Sequence, residues 1–192
     1  MTQKRRNDKL TDIIILSGSP SKHSRSKLAA NYAGKLAEEK GFTVKEISVT
    51  DFAPEDLVYA RFNSPAIVAA GQAVSNAKGL IIASPVYKAA YSGVLKSLLD
   101  LLPQDAFKNT TVLPIMTGGS PAHLLAIDYT LKPLIANLKG ESLQGVYLCD
   151  HHINKENPEH PVSDKETGVR IQTQTNQLVE AIRRNHAASV VK

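Results

Sequence analysis

Apolar residues occur in short unbroken runs along the chain, and segments with an apolar residue at every third or fourth position lie between them. The runs at residues 13–16 and 79–83 contain no charged residue, which is typical of strands buried on both faces of a parallel sheet. We predict strands over 13–16, 42–49, 79–85, 110–117 and 143–148. We predict helices over 28–40, 65–78, 92–102, 121–139 and 169–185, and an irregular segment over 51–64.

The alternation of strands and helices favours an α/β fold in which parallel strands are joined by right-handed helical crossovers. We therefore predict a flavodoxin-like, doubly wound, five-stranded parallel sheet of order 2-1-3-4-5, with helices on both faces. Pro114 in the fourth strand has no N–H to donate, and central strands avoid proline. We expect a bulge or an unused hydrogen-bonding position at that residue.

The length of 192 residues fits one domain. We assign residues 1–11 to a basic N-terminal arm and residues 12–192 to a single flavodoxin-like domain. Residues 150–168 are polar and contain two prolines and three histidines, so we predict a long loop there, before the C-terminal helix at 169–185.

Three predicted strands end in loops of small residues, at 17–26, 85–93 and 117–121. The carboxyl ends of parallel strands meet at one edge of the sheet, and open α/β sheets bind their ligands outside that edge. The three loops are therefore expected to form one binding site.

The first loop has the composition of a phosphate site. Ser19, Ser24 and Ser26 supply hydroxyl donors, Arg25 supplies a guanidinium, and a helix N-terminus follows. The chain has neither a Gly-x-x-x-x-Gly-Lys-Ser/Thr loop nor a Gly-x-Gly-x-x-Gly turn, so a terminal phosphate monoester such as that of FMN suits it better than a triphosphate or a dinucleotide. The alternative is that Ser24 or Ser26 only caps the helix.

The second and third loops suit a flat heteroaromatic ring. Pro85, Val86, Tyr87 and Lys88 combine backbone groups with one aromatic side chain, whereas Thr117, Gly118, Gly119 and Ser120 allow close approach of a ligand to the backbone. Alternatively, the two glycines form only a turn and Tyr87 is only an aromatic residue at the rim.

The helix after the third loop contains an unusual proline. Ser120 can cap this helix, Pro121 fits its first turn, and Gly140 ends it. Pro133 cannot donate to the carbonyl of Tyr129, so we expect either a single π-turn beside Tyr129 or a plain kink with Tyr129 as a core or interface aromatic. The predicted buried stripe is Leu124, Ile127, Leu131, Leu134 and Leu138.

Composition and charge exclude several other classes. The net charge is +5, with Lys4, Arg5, Arg6 and Lys9 against Asp8 near the start, but no basic stretch is interleaved with aromatics as in single-strand nucleic-acid binders. The mildly basic balance suits anionic ligands such as FMN and NADPH. Cys149 is the only cysteine, and the sequence contains neither an 18-residue apolar run nor a signal-peptide core. We expect a cytoplasmic protein without a membrane segment.

Hydrolytic and metal chemistry have weak support in the sequence. Ser120, His123 and Asp128 lie too close along the chain for a convincing triad, and there is no Gly-x-Ser-x-Gly elbow. Three histidines, at 151, 152 and 160, could bind a metal, but no matching carboxylate or cysteine pattern accompanies them. We therefore predict no metal site.

Several motifs resemble those of the NADPH-dependent FMN reductases, and in particular those of the reductase components of two-component alkanesulfonate monooxygenase systems. The resemblance covers about residues 12–148 and fades after Asp150. The motifs that carry it are Gly18-Ser-Pro20, Ser24-Arg-Ser26, Phe52-Ala-Pro-Glu-Asp-Leu57, Tyr59-Ala-Arg-Phe62, Ser84-Pro-Val-Tyr-Lys-Ala-Ala-Tyr-Ser-Gly93, Leu98-Leu-Asp-Leu-Leu-Pro103, Thr117-Gly-Gly119 and His123-Leu-Leu-Ala-Ile-Asp-Tyr-Thr-Leu-Lys-Pro133.

The resemblance implies hydride transfer from NADPH or NADH to FMN and release of reduced FMN to a partner monooxygenase that desulfonates alkanesulfonates. It implies a homodimer or a homotetramer and places Tyr129 at a π-helix in the subunit interface. It also implies that Ser19, Ser24, Arg25 and Ser26 hold the FMN phosphate, and that Pro85–Lys88 and Thr117–Ser120 frame the isoalloxazine.

Two alternatives share this fold and these loops. One is an enzyme that retains FMN and reduces quinones, azo dyes or metal ions. The other is a flavodoxin-type electron carrier, although such carriers are usually acidic and this chain is basic.

Overall fold

The computed structural model describes residues 11–190, with side chains through residue 187, so the predicted basic arm at 1–11 lies almost wholly outside the described residues. The strands are β1 (Ile13–Ser17), β2 (Val44–Ser48), β3 (Gly79–Pro85), β4 (Thr111–Gly118), β5 (Glu141–Ser142) and β6 (Val146–Cys149). The α-helices are α1 (Arg25–Glu38), α2 (Pro54–Val58), α3 (Pro65–Ser75), α4 (Gly93–Asp100), α5 (Lys132–Asn137) and α6 (Lys165–Val190). A π-helical segment, Ile127–Leu131, precedes α5, and single 3-10 turns lie at Val49–Asp51, Pro121–His123 and Asp150–His152.

The sheet is parallel and has the order β2-β1-β3-β4-β5, with β6 also paired to β4, which confirms the predicted fold class. Both faces of β1 are covered. Ile14 and Leu16 pack in one core with α3 and α4, whereas Ile13 and Ile15 pack in a second core with α1 and α6. All four side chains are at most 3% exposed, as the unbroken apolar run predicted.

The predicted fifth strand at 143–148 is wrong in its first half, because β6 begins only at Val146 and a separate two-residue strand, β5, lies before residue 143. β4 pairs with β5 over Thr111–Val112 and with β6 over Ile115–Gly118. The segment between β5 and β6 therefore forms no strand pairing opposite Pro114. Leu143 N donates to Val112 O (2.9 Å), which shows that the even-numbered residues of β4 face this neighbour. The missing N–H of Pro114 therefore falls in the gap between β5 and β6, where the position it cannot fill goes unused.

Several predicted boundaries need correction. α1 begins at Arg25, three residues before the predicted start. The segment 51–64 is not wholly irregular, because Pro54 begins the short helix α2. The helix from Pro65 ends at Ser75, before the predicted 78. The last helix begins at Lys165, four residues before the predicted start, where the Asp164 carboxylate accepts a hydrogen bond from Thr167 N (2.8 Å), and it extends to Val190. No helix in the described range 11–190 is both long and apolar enough to cross a bilayer.

Asp12 joins the amino-terminal ends of three strands. Its carboxylate accepts hydrogen bonds from the Thr43 N–H and hydroxyl (both 2.9 Å) and from Lys78 Nζ (2.7 Å). Its carbonyl accepts from the N–H groups of Lys78 and Gly79. Burial alone would raise the pKa of Asp12, but the hydrogen bonds from Lys78 and Thr43 outweigh it and leave the pKa below its ordinary value.

We expect Asp12→Asn to lower the free energy of unfolding by about 1 kcal/mol at pH 7, because the charged acceptor is lost. The folded-state pKa of Asp12 is depressed, so its contribution is complete above the unfolded value near 4 and is lost as the pH falls through the folded pKa. Urea unfolding of both proteins at pH 7 and pH 3 tests this. A difference that stays constant between the two pH values would contradict it.

Candidate functional site

The three small-residue loops meet at the carboxyl edge of the sheet, as predicted. Gly18 N donates to Ala83 O (2.7 Å), which joins the first loop to the end of β3. Val86 N donates to Thr117 O (2.7 Å), which joins the second loop to the third. The loops after β1, β3 and β4 therefore form one continuous rim.

Two buried serines that the sequence analysis did not single out hold this rim together. The Ser92 hydroxyl donates to Gly18 O, and Ser92 N donates to the Ser84 hydroxyl (2.9 Å). Ser92 is also the N-cap of α4 and accepts from Leu95 N (3.1 Å). A serine before a helical pattern signals a cap, but nothing local reveals that this hydroxyl also bonds to another loop.

The serine hydroxyls of the first loop lie at the start of α1. Ser24 is the N-cap, accepts from Lys27 N (3.2 Å), and lies 2.9 Å from the Ser26 hydroxyl. The Ser19 hydroxyl accepts from Ser21 N (3.2 Å). Ser19, Ser24 and Ser26 are 3%, 6% and 0% exposed, so Ser24 does cap the helix and Ser26 acts mainly on Ser24.

Arg25 gives the first loop an unsatisfied donor. Its Nε is buried and has no hydrogen-bond partner within the described residues. Leaving a charged donor buried and unpaired costs more than leaving a neutral one, and an anion at the loop would remove that cost. This orphaned nitrogen and the neighbouring hydroxyls fit a phosphate group.

The second loop is a tight turn held in a strained conformation. Tyr87 and Ala90 exchange backbone hydrogen bonds (2.8 and 3.2 Å), and Lys88 and Ala89 between them have φ values of 50° and 65°. Side chains other than glycine rarely adopt this left-handed region, and such strain is concentrated at functional sites. Because Val86 and Tyr87 use their N–H groups within the protein, this loop offers a ligand fewer donors than the sequence suggested.

The two glycines of the third loop have different roles. A Cβ on Gly118 would lie 2.5 Å from the Tyr147 hydroxyl, whereas a Cβ on Gly119 would meet nothing within 4 Å. Gly118 is therefore required by packing, and Gly119 leaves the backbone open toward solvent. The Ser120 hydroxyl accepts from Ala122 N (3.2 Å) and caps the following turn.

Tyr147, on β6, holds the third loop in place, and this role was not predicted from the sequence. Its hydroxyl donates to Ser120 O (2.5 Å). Burial raises the pKa of Tyr147, and nearby Cys149 and Asp150 raise it further, so the phenol keeps its proton and remains a donor. The single tyrosine in a short apolar strand gave no signal of this contact.

The π-turn beside Tyr129 is present. Lys132 N donates to Ile127 O, five residues back, within the π-helical segment Ile127–Leu131. Pro133 follows this wide turn, so the π-turn is present out of the two expected arrangements, a π-turn or a plain kink. Tyr129 is 76% exposed, so it is not a core aromatic of this chain.

The predicted apolar stripe of this helix is wrong at Leu124. That side chain is 53% exposed, whereas Ile127 and Leu131 are buried. Leu124 lies in a turn between the 3-10 turn Pro121–His123 and the π-helical segment, so the single helix predicted over 121–139 does not form and helical spacing does not apply to this residue.

The three histidines of the segment predicted as a loop, at 151, 152 and 160, do not lie together. His151 and His152 stack edge to face (4.2 Å between centroids), whereas His160 packs against Tyr32 (6.4 Å). In the part of the chain that the structure describes, no three His, Cys, Asp or Glu residues are placed to hold a metal ion.

A doubly wound parallel sheet with its loops joined at the carboxyl edge defines a flavodoxin-like protein. The structure of an archaeal flavodoxin superposes on this chain with a TM-score of 0.58 at 11% identity, covering 90% of this chain and 99% of that one. At that identity the likeness concerns the fold alone.

The family model described as NADPH-dependent FMN reductase matches residues 11–155. An FMN reductase (NADPH) from Escherichia coli strain K12 is 49% identical over 142 residues, covering 73% of this chain and 74% of that protein. An FMN reductase (NADPH) from Pseudomonas putida is 46% identical over 142 residues, covering 73% and 72%. The apo structure of the NADH:FMN oxidoreductase EmoB superposes with a TM-score of 0.78 at 31% identity, covering 89% of each chain.

The chain belongs to the NADPH-dependent FMN reductase family. It is a flavin reductase, an oxidoreductase that works with FMN and a reduced nicotinamide cofactor.

We expect Tyr147→Phe to weaken FMN binding about fivefold, because loss of one buried hydrogen bond of about 1 kcal/mol frees the Ser120 carbonyl and loosens the third loop. Titration of the apoprotein with FMN, followed by flavin fluorescence, measures the Kd. Tyr32→Phe, on α1, is the matched control and should bind FMN like the wild type. Equal affinity in all three proteins would show that the loop does not depend on this bond.

Proposed function

We propose that this chain reduces FMN with NADPH or NADH in the cytoplasm and releases the reduced flavin to a partner flavin-dependent monooxygenase that desulfonates alkanesulfonates. Membership of the family establishes the reduction of FMN. The proposed transfer to a monooxygenase is supported by the sequence motifs, above all the second loop and the segment from His123 to Pro133.

In this proposal the first loop holds the FMN phosphate. The Ser19 and Ser24 hydroxyls, the unpaired Arg25 Nε and the N-terminus of α1 all favour an anion. Ser26, which is fully buried against Ser24, contributes by orienting the Ser24 hydroxyl. The unpaired buried Arg25 nitrogen is the observation on which this assignment depends.

The isoalloxazine would lie between the second and third loops. Tyr87 is 49% exposed there, and Pro85, Val86 and Lys88 form the same wall. On the other side, Thr117 and Gly118 are fixed by the sheet, and Gly119 and Ser120 present the backbone.

Bound FMN supplies the chemistry, because its ring accepts a hydride from the nicotinamide. The residues of this chain bind and orient the reactants. The open backbone at Gly119 and the exposed Tyr87 leave room for a second planar ring against the first, and proximity of the two rings supplies much of the acceleration.

Proteins similar to this chain are named for both nicotinamide cofactors. The Escherichia coli relative is named for NADPH, and SfnF of Pseudomonas fluorescens, 36% identical over 146 residues, is named for NADH.

An oxidation assay tests this function. The purified protein should emerge from gel filtration nearly colourless and should oxidise NADPH or NADH in air only when FMN is added, with saturation by FMN. A yellow protein that reduces quinones without added FMN would instead identify a reductase that retains its flavin. Absence of nicotinamide oxidation under all conditions would identify an electron carrier.

The exposed Tyr129 is proposed to lie in the interface of a homodimer or homotetramer and to weaken flavin retention. Leu124 and Leu125, which are 53% and 54% exposed, extend the apolar surface around it. A reductase that passes on its flavin needs reversible binding, and a π-turn near an interface can couple assembly to the site.

We expect Tyr129→Ala to shift the protein toward smaller assemblies in sedimentation, to retain more flavin through gel filtration, and to turn over added FMN more slowly. Tyr59→Ala, which removes a similarly exposed tyrosine (70%) far along the chain from the π-turn, is the control. Unchanged assembly, retention and turnover in Tyr129→Ala would refute this role.

A further inference from the structure

Ser92 joins two loops to which the proposed function gives different parts of the flavin. Its hydroxyl donates to Gly18 O in the first loop and accepts from Leu95 N (3.1 Å) in α4. Its N–H donates to the Ser84 hydroxyl (2.9 Å) at the end of β3. Ser92 is 0% exposed, so it can act on a ligand only through the loops that it holds.

Ser84 continues this connection into the second loop. Its hydroxyl accepts from Ser92 N and donates to Pro85 O (2.9 Å), and its side chain is also completely buried. Because Ser84 and Ser92 lie on either side of residues 85–91, the hydrogen bond between them closes the base of the second loop. A continuous series of hydrogen bonds therefore runs from Gly18 in the first loop to Pro85 in the second.

Gly18 is held through both of its backbone polar groups. Its N–H donates to Ala83 O (2.7 Å), which continues the pairing of β1 with β3 beyond Ser17. Its carbonyl accepts from the Ser92 hydroxyl, so a single side-chain substitution removes this second bond and leaves the first in place. A buried carbonyl that loses its donor is unfavourable, and the loop is expected to shift until the carbonyl is solvated or paired.

The spacing between the first and second loops matters for a ligand that reaches both. In the proposed function the phosphate of FMN lies in the first loop and the isoalloxazine lies against the second. Such a ligand gains fully from both contacts only while the two subsites keep a fixed separation. Riboflavin has the same ring without the phosphate, so its affinity does not depend on that separation.

We propose that Ser92 is a positioning residue that couples the first loop to the second and thereby determines how much the phosphate adds to flavin affinity. This proposal rests on the proposed function, which assigns the phosphate to the first loop and the ring to the second. Since Ser92 is buried beneath both loops, loss of its hydroxyl removes no direct contact with the flavin. It should nevertheless weaken the binding of FMN more than that of riboflavin.

Titration of the apoprotein with FMN and with riboflavin, followed by flavin fluorescence, tests this coupling. The readout is the ratio of the riboflavin Kd to the FMN Kd. Ser92→Ala removes the hydroxyl, and Ser92→Gly removes it with a residue that an N-cap tolerates better, which keeps the comparison available if Ser92→Ala folds poorly. The matched control is Ser97→Ala, which removes a half-buried hydroxyl of the same helix that donates to Gly93 O (3.1 Å).

We expect the ratio to fall about fivefold in Ser92→Ala and Ser92→Gly and to stay within about twofold of the wild type in Ser97→Ala. Thermal melts confirm that each variant is folded. Loss of the helix cap lowers the melting temperature, but a general loss of stability affects both ligands alike and leaves the ratio unchanged. A purely structural role for Ser92 would therefore not alter the ratio.

Two results would overturn the proposal while the wild-type protein still prefers FMN: an unchanged ratio in both Ser92 variants, or an equal fall in Ser97→Ala. A wild-type ratio close to one would instead contradict the assignment of the phosphate to the first loop, and with it the proposed function on which this coupling rests. The failure of the coupling and the failure of the proposed function are thus distinguished by the wild-type measurement.

Discussion

The hydrogen bond from the buried Ser92 hydroxyl to the Gly18 carbonyl is the contact on which the binding edge depends. It joins the loop after β1 to the start of α4, and through Ser84 it also anchors the end of β3. A Cβ on Gly18 would lie 2.7 Å from Leu95 Cβ, so the absence of a side chain lets the first loop and α4 approach this closely. A buried hydroxyl and a buried carbonyl satisfy each other, and two segments separated by 74 residues form one wall.

The third loop is positioned by a different contact, the hydrogen bond from Tyr147. The Tyr147 side chain, on β6, occupies the space that a side chain on Gly118 would need, and its hydroxyl donates to Ser120 O. The second loop lies between these two anchored loops and holds Lys88 and Ala89 in left-handed conformations. A rigid frame of this kind can keep a planar ligand in place while leaving its outer face open, which is what hydride transfer between two rings requires.

The part of the chain beyond β6 adds features that the loops of the sheet do not have. It is attached to α1, because Glu159 forms an ion pair with Lys35 and the His160 ring packs against Tyr32. The π-helical segment packs through Ile127 and Leu131 in the core on the other face of the sheet and leaves Tyr129 exposed. The sheet edge with its three loops is thus combined with peripheral segments that contact α1 and leave Tyr129 exposed.

The sequence by itself determined the parallel sheet and the three loops at its edge, because each follows from short-range pattern. It limited the cap of α1 to Ser24 or Ser26, and the backbone beside Tyr129 to a π-turn or a kink, because each choice follows from local backbone chemistry. The motif resemblance also identified the family. Only the tertiary structure decided that β4 pairs with two short strands interrupted opposite Pro114, that Ser92 and Tyr147 hold the loops, and that Leu124 is exposed. These features depend on contacts between residues far apart in the chain. A local pattern shows which groups a segment offers, whereas the partners that satisfy those groups are fixed by how the layers pack.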